Sequence, residues 1–136
     1  MKLIRFWTPV VLWMIIIFVL SSQQKITITD SYTLSFILFK TIHVIEYAFL
    51  FTVTYRAIIN TMVRKGKLPL VIAFIITALY AISDEYHQSF VPTREGRLRD
   101  AIIDIAGAAI AWISIKQLLP KAPGRLKTLV KHWHMM

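Results

Sequence analysis

Apolar residues in this chain gather into long runs and do not alternate with polar ones. Four such runs stand out: "FWTPVVLWMIIIFVLSS", "YTLSFILFKTIHVIEYAFLFTVTY", "LPLVIAFIITALYAIS" and "AIIDIAGAAIAWISIKQLL". Each approaches the ~20 residues of helix that cross a hydrocarbon core about 30 Å thick. A lone span in lipid must satisfy its own backbone hydrogen bonds, so each is expected to be a helix. The pattern predicts an all-α fold, a polytopic membrane four-helix bundle in one domain, with spans over about residues 5–23, 33–59, 68–90 and 100–119. The first run follows "MKLIR", as a signal peptide would. It is longer than a usual signal core and "SSQQ" offers no small-residue cleavage site, so it is expected to stay as a helix.

Composition agrees with a lipid solvent. The chain is 57% hydrophobic and 17% charged, well away from the balance of a soluble domain. It has no cysteine, which excludes disulfides, thiolate metal sites and a cysteine nucleophile. A net charge of +9 suggests nucleic acid, but the bases sit at the ends of apolar runs, where they act as topology signals. No nucleic-acid partner is expected. Lys2, Arg5, Arg56, Arg64, Lys65, Lys67, Lys116, Lys121, Arg125, Lys127 and Lys131 would share one side of a four-span protein. Lys25, Arg94, Arg97 and Arg99 would share the other. The imbalance predicts a bacterial cytoplasmic membrane protein with both termini inside and "DEYHQSFVPTREGRLRD" facing outward. Asp30, Asp84, Glu85, Glu95 and Asp100 all fall at that outward end.

Beyond "PKAPG", residues 121–136 form a basic interfacial tail. Leu126, Leu129, Val130 and Trp133 recur at helical spacing among Arg125, Lys127 and Lys131, which predicts a short amphipathic helix on an anionic inner leaflet.

Ionisable residues inside the spans are the other anomaly. In the second run, Lys40, His43, Glu46 and Tyr47 make one polar stripe. In the fourth, Asp100, Asp104 and Gly107 share a face continued by Ala108 and Ala111, a small-residue surface that admits a neighbouring helix and leaves room for a homo-oligomer. The third helix is expected to run on toward Pro92, which puts Tyr80, Asp84, His87 and Gln88 on one face. Such charges cost several kcal/mol in lipid unless paired or wetted, so they should face the bundle interior, with Asp104 meeting Lys40 or His43. They could be an ion-pair network that only holds helices together, but buried pairs stabilise weakly because desolvation offsets attraction.

These residues resemble the VanZ-like family of small bacterial membrane proteins. The resemblance rests on "SSQ" after the first helix, "KTIHVIEY" in the second, "SDEYHQSFVPTREGRLRD" after the third and "DIAG" in the fourth. It implies characteristic polar positions at Lys40, His43, Glu46, Tyr47, Asp84, Glu85, His87, Gln88, Arg94, Asp100, Asp104 and Gly107, and an association with teicoplanin (glycopeptide) resistance. Ala111 stands where short members often have a second glycine.

Three kinds of chemistry suit these residues. A recess lined by Lys40, His43, Glu46, Tyr47, Gln88, Arg94, Asp100 and Asp104 would bind a lipid-linked envelope precursor, another headgroup or a glycopeptide, with Arg94, Arg97 and Arg99 meeting the anion. Asp84 or Glu85 with His87 would serve as acid and base in a membrane-embedded hydrolase. A metal version would use His43, Glu46, Asp84 and His87, although "HVIE" and "DEYH" are not a recognised ligand spacing. No cofactor is expected. A proton path through the membrane would need ionisable groups in the other halves of the spans, and those halves have none in line.

Overall fold

The computed structural model describes residues 1–24, 32–62, 66–94 and 96–135. Lys25, Asp30, Arg64, Lys65 and Glu95 of the charge count lie outside the described residues. Helix α1 spans Lys2–Ser21, α2 Tyr32–Thr61, α3 Leu68–Gln88 and α4 Leu98–Ile113. A π turn over Ser114–Leu118 and a 3-10 turn over Leu119–Lys121 prolong α4, and α5 follows at Gly124–His132. No strand occurs among the described residues. Among the described residues, 4 helices are long and apolar enough to cross a membrane: α1, Thr33–Thr61 of α2, α3, and α4 with its two end turns.

The end of α4 has a local cause. Pro120 offers no N–H and its ring clashes with the carbonyl four residues back. The α ladder yields to wider and then tighter turns before the chain leaves the span, and Ala122 and Pro123 are extended.

Packing follows the logic of lipid. Large apolar side chains such as Ile15, Ile45, Leu79 and Ile110 point outward, while Ala57, Ala73, Ala81, Ala101 and Ala108 lie inside with Thr54 and Thr77. Without a hydrophobic drive between helices, small residues that let backbones approach, and hydrogen bonds between helices, do the holding. At the closest approach a Cβ on Gly107 of α4 would lie 2.3 Å from the Val44 carbonyl oxygen of α2. The small face that the sequence left open to a second copy is therefore filled by α2, with Ala108 and Ala111 buried. Tie points run between helices: Trp7 Nε1 donates to Thr61 Oγ1 at 3.0 Å, Trp13 Nε1 to the Glu46 carbonyl at 2.9 Å and the Tyr80 hydroxyl to the Met14 carbonyl at 2.6 Å.

Helix α2 is central and packs on α1, α3 and α4. The up-and-down order brings the end of α1, the start of α2, the end of α3 and the start of α4 to one end of the bundle. Among the described residues the buried carboxylates, Glu46, Asp84, Glu85 and Asp104, come from the halves of α2, α3 and α4 nearest that end.

Candidate functional site

The site starts where α1 runs out. A helix C-terminus leaves its last carbonyls unpaired and carries a partial negative charge. Arg94, in the connection between α3 and α4, answers both: Nε donates to the Gln23 carbonyl at 2.7 Å and Nη2 to the Leu20 carbonyl at 3.1 Å. Its Nη1 reaches Gln88 Oε1 at 3.3 Å. Gln88 Nε2 in turn donates to Asp84 Oδ2 at 2.9 Å, and the Ser21 hydroxyl donates to Asp84 Oδ1 at 2.6 Å. One chain of hydrogen bonds thus joins α1, α3 and the connection. Burial draws the Arg94 guanidinium below its usual value, and the carboxylates of Asp84, Glu85 and Glu46 oppose that drift.

The connection is shaped by tight turns. Phe90 N–H bonds to the His87 carbonyl, Val91 N–H to that of Gln88, and Arg94 N–H to that of Val91. Thr93 adopts φ 70, a conformation a β-branched residue holds only when its surroundings force it. Gly96 passes so close to α3 that an added Cβ would lie 2.4 Å from the Glu85 carbonyl oxygen. Glu85 Oε2 then accepts the Arg97 backbone N–H at 3.0 Å as α4 begins.

Across from this loop, Lys40 of α2 pairs with Asp100 Oδ2 at 3.0 Å. Arg99 Nε approaches Asp100 Oδ1 at 3.4 Å, and its guanidinium lies 5.2 Å from the Phe36 ring centroid. His43 Nδ1 faces Glu46 Oε2 at 3.3 Å along the same helix. Asp104 is expected from sequence to meet Lys40 or His43; the ion pair of Lys40 is with Asp100, one turn nearer the polar end, and His43 lies against Glu46, while both bases also act on Asp104. The Asp100 side chain is 13% exposed, whereas Asp104 is 1% exposed, so the ammonium takes the wetter carboxylate and keeps its own hydration. Both Asp104 oxygens are buried without a hydrogen-bond partner, although Asp104 faces His43 and Lys40 from α2 and Asp84 and Glu85 from α3.

Between these groups lies a cavity of about 680 Å³. Six of the residues nominated from sequence line it: Lys40, His43, Glu46, Gln88, Arg94 and Asp100. Arg97 and Arg99 line it too, and Leu20, Phe36, Phe39 and Ile42 supply its apolar wall. Tyr47 and Asp104 are not in the lining; they lie buried in the bundle. Asp84, Glu85 and His87 are also absent from the lining. Asp84 and Glu85 are buried and hydrogen-bonded, while His87 Nε2 is 3.0 Å from the Ser22 hydroxyl and its ring lies 4.4 Å from that of Phe18. Among the described residues no three of His, Asp and Glu come together as a metal-ligand set. His43 and Glu46 face each other, while Asp84 and His87 are engaged by the end of α1.

The sequence reading gave no role to Ser21, Ser22 or the carbonyls of Leu20 and Gln23. Its one signal was "SSQ", two hydroxyls where an apolar run stops and a helix end leaves acceptors open.

The model of one family, VanZ/LLP1, matches residues 6–119. Comparison with curated proteins and with solved structures finds no match.

Proposed function

The chain belongs to the VanZ/LLP1 family, and from that premise we propose that it binds the anionic headgroup of a cell-envelope lipid or lipid-linked peptidoglycan precursor. The carrying observation is the cavity of about 680 Å³ with Lys40, Arg94, Arg97 and Arg99 set against Glu46 and Asp100 in its lining. Cations outnumber carboxylates there, which favours an anion. Its volume lies within the usual range for a small-molecule site, about 300–1,000 Å³. Leu20, Phe36, Phe39 and Ile42 give the wall an apolar side, suited to the first carbons of a lipid tail. In this reading the protein sits in the bacterial cytoplasmic membrane with both termini inside, as the excess of Lys and Arg at the other end supports. The cavity then opens at the outer leaflet. Occupancy of a precursor headgroup would limit a glycopeptide's access to it, in keeping with the teicoplanin-resistance association implied by resemblance.

A second reading, a purely structural or accessory bundle, is favoured by one observation: Asp84, Gln88 and Arg94 form a continuous chain of hydrogen bonds that ties the end of α1 to α3 and the connection after it. The acid/base reading has less support, because Asp84 spends both oxygens on Ser21 and Gln88, and Glu85 accepts the Arg97 N–H.

The test is lipid binding by purified protein in detergent, with a short-chain phosphatidylglycerol as probe. Arg97→Ala with Arg99→Ala is expected to weaken binding roughly tenfold or more, since a charge-assisted contact is worth on the order of 1.5–3 kcal/mol. The melting temperature should stay near that of the parent. Equal affinity for the double variant and the parent sinks the binding reading and leaves the structural one. A glycopeptide susceptibility assay on the same variants then asks whether binding carries resistance.

A further inference from the structure

We infer that α5, at the other end of the bundle, is a docking surface for anionic phospholipid headgroups, held close to the span ends by a clasp from α2. Helix α5 presents Leu126, Leu129 and Trp133 exposed at 51%, 66% and 51%, at helical positions i, i+3 and i+7. Arg125, Lys127, Lys131 and His132 stand among and beside them, and no acid occurs anywhere after Asp104. An apolar stripe edged by unopposed bases, directly after a candidate span that ends at Lys121, has the chemistry of the boundary between headgroups and acyl chains.

The tail is also held at both ends. At its start, Pro120 and the extended Ala122 and Pro123 turn the chain out of the span. At its finish, Arg56 Nε donates to the Trp133 carbonyl and Asn60 Nδ2 donates to the His134 carbonyl at 2.6 Å. The Arg56 guanidinium lies 5.0 Å from the Phe6 ring centroid and 5.7 Å from that of Trp133. His134 meets Phe6 edge to face, and Met135 is 7% exposed. A nine-residue helix tied at one end to α4 and at the other to α1 and α2 stays close to the span ends and is left free only to tilt toward or away from the lipid. Its exposed apolar stripe is thereby offered to the bilayer boundary, where a lipid surface is the occupant of matching charge. This surface is separate from the cavity, and its test is independent of what that cavity binds.

The chain has no cysteine, so Leu129→Cys gives a single attachment point for a spin label on a fully exposed side of α5. The full protein is placed in nanodiscs of phosphatidylcholine alone or with roughly one-third phosphatidylglycerol. Accessibility to oxygen and to a water-soluble nickel chelate reads the depth of the label. With phosphatidylglycerol the label is expected to be oxygen-accessible and chelate-shielded. Adding Lys127→Glu and Lys131→Glu should return it to the chelate, with a loss of bound population of at least about fivefold for each base reversed, given ~1 kcal/mol per base near an anionic surface. Raising the salt to about 1 M should act in the same direction, because the screening length falls to ~3 Å. A label equally deep in both lipids, or unmoved by the charge reversal, overturns the role of the anionic headgroup. A label in water in both lipids overturns the membrane surface altogether and leaves α5 for an acidic protein partner. Binding at the cavity, measured on the same variants, is expected not to change.

Discussion

Asp104 and Gly107 sit one turn apart on α4 and are expected to respond to substitution in different ways. Gly107 has no room: any side chain meets the Val44 backbone at 2.3 Å, and backbone cannot swing aside as a flexible side chain would. Gly107→Ala is therefore expected to lose about 1–3 kcal/mol, seen as a lowered melting temperature in detergent. Asp104 has the converse problem, a 1% exposed carboxylate with both oxygens unpartnered. Asp104→Asn keeps the shape and removes a carboxylate that lacks hydrogen bonds but faces His43 and Lys40, so the relief of burial and the lost attraction offset and stability should stay within roughly 1 kcal/mol. A larger loss would mean that the attraction to the two bases dominates. Arg94 is a third case. Its three donors meet three acceptors at fixed angles, a pattern the single ammonium of lysine cannot reproduce. Arg94→Lys should cost about 1–2 kcal/mol and loosen the end of α1.

At the scale of elements, the helices were legible because lipid-spanning runs must be both long and apolar, and only the first run had a competing reading, as a signal peptide. The fourth span, expected over about 100–119, runs Leu98–Lys121. What the apolar run could not tell is that regular α-helix stops at Ile113 and that Pro120 lies among other turns beyond it. The site was legible in part. Spacing says which residues share a face of one helix, so the stripe of Lys40, His43, Glu46 and Tyr47 could be seen; the first three line the cavity, while Tyr47 is buried in the bundle. Spacing is silent on which carboxylate of a neighbouring helix a base will meet, so Asp104 was matched to Lys40 or His43, while the ion pair of Lys40 is with Asp100. It is equally silent on contacts between α1 and α3, far apart in sequence, where Ser21 meets Asp84. That contact offsets a local conflict: Asp84 and Glu85 lie near the negative end of the α3 dipole, where anions are disfavoured. Ser21→Ala would leave Asp84 Oδ1 unpaired in a buried setting. It is expected to cost about 1–3 kcal/mol, and the change should be largely absent in an Asp84→Asn background, which a double-mutant cycle of melting temperatures would read.

Taken whole, the molecule has an apolar outer surface and an interior that mixes bulky apolar, small and polar residues, with its buried charge at one end and a basic, acid-free tail at the other. If that asymmetry sets its direction in the membrane, a cysteine at Lys131 should be closed to an impermeant thiol reagent in intact cells while one at Arg99 is open, and the reverse labelling would turn the proposed site inward. The way Arg94 grips the spent carbonyls of Leu20 and Gln23 gives the recess a built-in gauge. Leu20, Gln23 and Arg94 all line the recess, so filling it should stretch or slacken the strap. Paired distance labels on Gln23 and Thr93 would then report a guest whose chemical identity had never been guessed.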